Sequence, residues 1–160
     1  MKDIVLARVD DRLIHGQVVT AWAVTTRATR IIIVDDGVAN DSFNKRVIKL
    51  LAPAGTAVDI YTVEEGIQEL LSEPKANERI IVLTKTPITF EALVEGGVKL
   101  EKVILGGMGL RDNRKPFVKN VSCSPEEIDS IKNMMNKGVK VIYQLVPEQR
   151  VIEISGLLEK

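Results

Sequence analysis

Short apolar blocks rich in β-branched residues recur along the chain, at Ile4 to Val9, Ile31 to Val34, Val58 to Thr62, Ile80 to Leu83, Val103 to Leu105 and Val139 to Leu145. Most are nearly continuous rather than alternating. Strands read this way when helices cover both faces of a parallel sheet, because neither face then meets water. Between the blocks, apolar residues recur at helical spacing. Phe43, Val47, Ile48, Leu50 and Leu51 predict one inward stripe, with Asn44, Lys45, Arg46 and Lys49 left for solvent. Val63, Ile67, Leu70 and Leu71 make a second, and Ile128, Ile131, Met134 and Met135 a third. Trp22, with Val18 and Val19, reads as the inward face of a helix that begins near Gly16-Gln17-Val18.

Helix starts are marked chemically as well. Ser124-Pro125-Glu126-Glu127 combines an N-cap, a proline at the first helical position and a capping-box glutamate, and Thr62 to Glu65 repeats the cap without the proline. Thr86-Pro87 opens a helix after the fourth strand. Asp112-Asn113 and Pro116 predict a turn and a short hairpin between Arg111 and Cys123, in place of a crossover helix. Val151 to Ser155 has room for an added, antiparallel strand. With no Pro/Ser linker and no internal repeat, the pattern predicts a single domain over residues 1–160. Its class is α/β: an open, doubly wound, mostly parallel sheet with helices on both faces and one antiparallel strand.

Composition narrows what such a domain can do. Lys+Arg and Asp+Glu are 22 each, so the net charge is zero and no long-range pull toward nucleic acid or anionic lipid operates on the chain as a whole. Aromatic residues, at 4%, are too few for the stacking platforms that hold single-stranded nucleic acid. One cysteine and one histidine exclude a disulfide and a Cys/His zinc cage within the chain. No apolar run is long enough to cross a bilayer and no signal-peptide core precedes Arg8, Asp10, Asp11 and Arg12, so a cytoplasmic location is expected.

Ligands of open α/β sheets bind beyond the carboxyl ends of the strands. Beyond the first strand come Asp10-Asp11-Arg12-Leu13-Ile14-His15-Gly16; beyond the second, Asp35-Asp36-Gly37; beyond the fourth, Thr84-Lys85-Thr86; beyond the fifth, Gly106-Gly107-Met108-Gly109. His15, the one imidazole, falls just before a helix, where free N–H groups of Gly16 and Gln17 and the positive dipole end face an anion. Arg8 and Arg12 can offer fork-shaped hydrogen bonds to phosphate oxygens, and Asp10 or Asp11 can hold one ring nitrogen protonated. Asp11, Asp35, Asp36, Thr84, Gly106, Gly107 and Met108 are expected to line the crevice. These parts describe a histidine that carries a phosphoryl group, with no metal required; a surface histidine among solvated ion pairs is the plainer alternative. The two aspartate pairs with Lys85 also suggest a magnesium-dependent receiver domain phosphorylated on aspartate, but the third strand ends in Ile60-Tyr61-Thr62-Val63, without an acceptor. A non-catalytic small-molecule binding module is the third reading. P-loop, nucleophile-elbow and dinucleotide fingerprints do not occur. Cys123 reads as a small buried hydrophobe. Arg111, Arg114, Lys115 and Lys119 form either a solvated hairpin face or a docking patch. Around His15, Leu13 and Ile14 are expected as exposed apolar docking residues, with Arg111 and Arg114 as charged ones.

The run Arg8-Val9-Asp10-Asp11-Arg12-Leu13-Ile14-His15-Gly16-Gln17-Val18 closely resembles the active-site loop of IIB components of the mannose/fructose/sorbose family of the bacterial sugar phosphotransferase system. Val34-Asp35-Asp36, Val94-Glu95-Gly96-Gly97-Val98, Gly106-Gly107-Met108 and Val146-Pro147 are similar too. The resemblance implies a phosphotransferase without a cofactor, phosphorylated at the Nδ1 nitrogen of His15. Its donor would be the phosphohistidine of a IIA component, and its acceptor a hexose or related sugar imported by membrane IIC and IID components. It further implies a cytoplasmic protein held at the inner face of the membrane through that permease, and a mostly parallel sheet with one antiparallel strand.

Overall fold

The computed structural model describes residues 1–158. Strands and helices follow one another as β1 (Ile4–Asp10), α1 (Gly16–Thr26), β2 (Arg30–Val34), α2 (Asp36–Ala39), α3 (Ser42–Leu50), β3 (Ala57–Tyr61), α4 (Val63–Leu71), β4 (Ile80–Thr84) and α5 (Pro87–Glu95). The second half runs β5 (Lys102–Gly107), β6 (Lys115–Val118), β7 (Val121–Cys123), α6 (Pro125–Asn136), β8 (Lys140–Tyr143), β9 (Ile152–Glu153) and α7 (Ser155–Leu158). The main sheet has the order β3-β2-β4-β1-β5-β8-β9; every neighbouring pair is parallel except β8 with β9. β6 and β7 form the separate antiparallel hairpin expected between Arg111 and Cys123.

The near-continuous apolar blocks have the origin expected of them. Successive residues of a strand point to opposite faces, and both faces are covered. In β2, Ile31 and Ile33 pack into one layer with Val19, Trp22 and Ala23 of α1 and Val38 of α2. Ile32 and Val34 pack into the other, with Leu70 of α4, Phe90 and Leu93 of α5, and Ile131 and Met134 of α6. The predicted caps are formed: Thr62 with Glu65 and Ser124 with Glu127 are complete capping boxes, and Thr86 caps α5 ahead of Pro87. Each satisfies N–H groups that a helix start leaves unpaired.

The α3 stripe departs from expectation. Phe43 is 66% exposed and Leu50 84% exposed, Val47 and Leu51 also face solvent, and only Ile48, with Ala52 after it, packs against the core. α3 crosses from β2 to β3, the edge strand, after α2 has already covered the end of β2 with Val38. Little sheet remains beneath it, so one narrow strip of the helix finds a core to join. In α4 the stripe behaves as expected at Leu70, whereas Leu71 lies at the exposed margin.

Candidate functional site

β1 and β5 lie side by side, yet the chain leaves them in opposite directions: from β1 through α1 to β2, and from β5 through the hairpin and α6 to β8. Their carboxyl ends therefore border the crevice at the topological switch point of the sheet. The segment 11–15 follows β1 at that place. It turns sharply, with Leu13 N–H donating to the Asp10 carbonyl at 2.9 Å and Leu13 itself in the left-handed region at φ 57°. A non-glycine residue there costs about 1–2 kcal/mol. The Leu13 side chain, 2% exposed, recovers a comparable amount by burial in the layer with Val19 and Trp22. Ile14 is buried in the same layer. Leu13 and Ile14 thus anchor the loop from below, and the expectation that they form an exposed docking surface is corrected.

With two apolar anchors underneath, His15 is left exposed at the N-cap of α1 in extended conformation (φ −135°, ψ 103°). Its side chain makes no capping hydrogen bond, and α1 carries no acidic residue in its first turn, so the positive end of the helix is not neutralised locally. Gly16 follows at φ +51°, a conformation that strains an L side chain, and Gln17 is exposed beside it. Among the described residues neither Asp10 nor Asp11 hydrogen-bonds the imidazole; both carboxylates serve other donors.

Asp10 is fully buried between two guanidinium groups. Its Oδ1 accepts from the Arg12 backbone N–H at 3.0 Å and Arg12 Nε at 3.2 Å, and its Oδ2 accepts from Arg8 Nη1 at 3.0 Å. Arg8, expected as a phosphate ligand, is 1% exposed and lies under Asp10, its Nη2 donating to the Leu145 carbonyl at 2.9 Å. Burial lowers its pKa, an effect the Asp10 charge and hydrogen bond partly oppose. As placed, Arg8 holds Asp10, Asp10 holds Arg12, and the Arg12 side chain, 47% exposed, is the guanidinium within the solvent's reach.

Asp11 ties the loop to the hairpin. Its Oδ2 accepts from Gly109 N–H at 2.8 Å, from Arg114 Nη1 at 3.3 Å and from Arg111 Nη2 at 3.4 Å. Arg114 is 6% exposed and makes a two-pronged pair with Glu127, both distances 2.8 Å, while Glu127 also accepts from Ser124 N–H in the α6 capping box. Burial lowers the Arg114 pKa, but the bonds and charges of Glu127 and Asp11 outweigh it and leave it raised. Arg114 is therefore an internal strut and not a docking residue, because the hairpin folds it inward onto α6; Arg111 stays exposed.

The glycines end β5 beneath the loop. A Cβ at Gly106 would fall on the Arg8 guanidinium, and one at Gly107 would crowd Asp10 at 3.2 Å and Arg12 at 3.3 Å. Their bareness is what lets the two guanidiniums lie over the strand. Other residues expected to line the crevice lie elsewhere. Thr84 is buried, its hydroxyl donating to the Thr86 carbonyl at 2.8 Å, and Met108 is buried in the core. Asp35 caps α2 through Val38 N–H at 2.9 Å, and Asp36 accepts from Val63 N–H at 2.8 Å, two strands away from β1. Among the described residues no three His, Cys, Asp or Glu side chains gather so as to hold a metal ion. Two contributors escaped sequence reasoning. The Leu145 carbonyl accepts from both Arg8 and Trp22 Nε1, and a main-chain acceptor has no sequence signal. Glu127 was legible only as a cap.

Fold and loop together define an α/β domain whose switch-point loop carries one exposed imidazole and a tethered arginine. The chain belongs to the PTS system sorbose subfamily IIB component family, whose sequence profile matches residues 4–160. It is 38% identical over 157 residues to the PTS system sorbose-specific EIIB component of Lacticaseibacillus casei, covering 98% of this chain and 96% of that one. It is 36% identical over 155 residues to the PTS system mannose-specific EIIAB component of Escherichia coli K12, covering 97% of this chain and 48% of the relative, so the chain spans about half the length of that protein. The crystal structure of the IIBSor domain of the sorbose permease from Klebsiella pneumoniae superposes with a TM-score of 0.93 at 32% identity, covering 98% of this chain and 96% of that one.

Proposed function

We propose that this chain is a phosphocarrier enzyme of sugar uptake, and the observation that carries the proposal is the exposed, uncapped His15 at the start of α1, on the same loop as the tethered, half-exposed Arg12. In the first step a ring nitrogen of His15, taken as Nδ1, attacks the phosphorus held on the phosphohistidine of a IIA component; the donor P–N bond breaks as the new one forms. In the second, a sugar hydroxyl oxygen takes the phosphoryl from His15 as the ring N–P bond breaks, its proton leaving to the freed ring nitrogen or to water, during import through a IIC/IID permease; on this reading the protein works in the cytoplasm at the membrane's inner face.

Phosphoryl transfer has a loose transition state, so positioning and charge stabilisation supply most of the acceleration. Arg12 and the N–H groups of Gly16 and Gln17 offset the charge arriving on the ring. Asp10 keeps Arg12 from swinging free, and Arg8 holds Asp10 in place. Stabilisation by few, solvent-accessible groups suits a carrier, since a phosphohistidine bound too tightly would be a poor donor. Exposure also suits one nitrogen that two successive partners must reach, with Arg111, paired with Asp11 of the same loop, as the charged docking residue. The receiver reading has no counterpart here: β3 ends at Tyr61, and Thr62 is spent as the α4 cap.

Incubating the protein with phosphorylated general carrier proteins and a cognate IIA, then measuring intact mass and mapping the site, tests the proposal. One phosphoryl group on His15 is expected, and none on His15→Ala with an unchanged circular dichroism spectrum. Stoichiometric phosphorylation of folded His15→Ala would refute it.

A further inference from the structure

The two helical layers differ in charge. α4, α5 and α6, which cover one face of the sheet, hold Glu64, Glu65, Glu69, Glu91, Glu95, Glu126, Glu127 and Asp129 against Lys132 alone. α1, α2 and α3, on the other face, hold Lys45, Arg46 and Lys49 against Asp36, with Arg27, Asp35 and Asp41 at their caps, so the cations of that face gather on α3. A net charge of zero thus conceals an acidic layer of helices and, on the other face, a local cationic strip along α3. The same helix carries the uncovered apolar stripe: Phe43, Val47, Leu50 and Leu51 run along α3 and its C-cap, with Arg46 and Lys49 along one side. Neither cation, nor Lys45, makes an ion pair with a described residue. Lys45 reaches far enough only to help lower the Glu65 pKa, below the effect of the Thr62 hydrogen bonds.

We propose that this face rests directly on an anionic lipid surface, with Phe43, Val47, Leu50 and Leu51 entering the headgroup boundary and Arg46 and Lys49 meeting lipid phosphates. An apolar stripe bordered by cations, on a helix of modest overall hydrophobicity, is the composition of helices that lie in a membrane interface. The charge argument selects lipid over the other occupants. The cytoplasmic leaflet is anionic, whereas the cytoplasmic loops of membrane proteins carry an excess of Lys and Arg and would repel these cations. A second copy docking through the same face would bring like charges together. One docking through its acidic side would offer few apolar partners, since Leu71 and Ile88 are the large apolar side chains exposed on α4 and α5. α1 starts at His15 and shares this face with α3, so the contact would bring the site edge close to the bilayer plane. The inference rests on the carrier reading only for its biological setting.

Co-sedimentation of the full chain with vesicles of phosphatidylcholine alone, and with about one third phosphatidylglycerol, tests it. Binding is expected to the anionic vesicles only, weakening several-fold between low and physiological salt because exposed charges are screened. Leu50→Glu, and separately Arg46→Glu with Lys49→Glu, should each reduce binding at least fivefold, whereas Ile88→Glu on the opposite layer should not. His15→Ala should bind as the parent does, so that loss of phosphoryl uptake and loss of lipid binding fail independently. Equal binding to both vesicle types, no binding at millimolar lipid, or binding indifferent to the α3 substitutions would overturn the proposal. So would concentration-dependent self-association without lipid that Leu50→Glu abolishes, or a preference for an acidic soluble protein over the vesicles.

Discussion

Arg12 reaches its carboxylate through three donors, the backbone N–H at 3.0 Å, Nε at 3.2 Å and Nη2 at 3.4 Å, and still leaves half of its side chain to solvent. A lysine could make one such bond but could not be gripped by Asp10 and face a phosphoryl oxygen at once. Arg12→Lys should therefore slow phosphoryl transfer about tenfold or more, the size of one lost charge-assisted hydrogen bond, with stability little changed; a single-turnover rate equal to the parent's would contradict this role. Cys123 is the opposite kind of residue, withdrawn from chemistry. Burial above all, together with the Glu127 charge, raises its thiol from an ordinary value near 9.0 to about 12, with Arg114 opposing. Between those values the unfolded chain has released a proton that the folded chain keeps, so stability falls as pH rises through the window. Urea unfolding of Cys123→Ala should lose about 1 kcal/mol less than the parent between neutral pH and about pH 10. Identical pH slopes would show that the thiol titrates alike in both states.

At the scale of elements, the loop after β1 is held by parts far apart in sequence. Arg114 joins the hairpin, the start of α6 and Asp11, and it does so buried. Arg114→Gln would leave the Glu127 charge buried and poorly paired, which should cost about 3–5 kcal/mol in denaturant unfolding. Combining it with Glu127→Gln, which removes that charge and preserves the acceptor of the capping box, should restore most of the loss. If the double variant were no more stable than the single one, the strut would be working through shape and not through charge. Sequence alone marked the hairpin, the caps and the loop as features, but not this linkage. Arg111 and Arg114 look alike in the chain, and only the packing of the hairpin on α6 makes one of them a surface residue and the other a strut.

For the molecule as a whole, the two edges of the sheet have separate duties. At the amino edge, Arg30 donates to Asp59 at 2.8 Å, Tyr61 Oη at 2.9 Å and Glu69 at 3.0 Å, tying β2, β3 and α4 together. The carboxyl edge between β1 and β5 is left for the loop. Closure on the far side depends on β9, whose neighbour Ile154 is fully buried with the layer formed by α4, α5 and α6. Ile154→Ala should therefore destabilise the whole domain by about 2–5 kcal/mol, a core-sized loss despite its place near the chain's end. A shift below about 1 kcal/mol in chemical denaturation would mean that the segment after Pro147 folds on its own account.

The sequence by itself determined the class of fold, the order of its elements, the caps of α4, α5 and α6, the hairpin, and the place of His15 beyond β1. Each of these is local: periodicity, capping chemistry and turn residues act over a few positions and survive whatever the chain meets later. Tertiary structure decided which charged groups face outward. Leu13 and Ile14 read as surface residues until α1 closes over them, and Arg8 reads as a ligand until Asp10, Leu145 and the bare backbone of Gly106 enclose it. The stripe of α3 reads as core until β3 proves to be the sheet's edge, leaving Phe43 and Leu50 in water. Burial is a property of partners distant in sequence. Local pattern can therefore say that a residue is apolar or charged, but only the assembled sheet and its layers settle which side of the protein it meets.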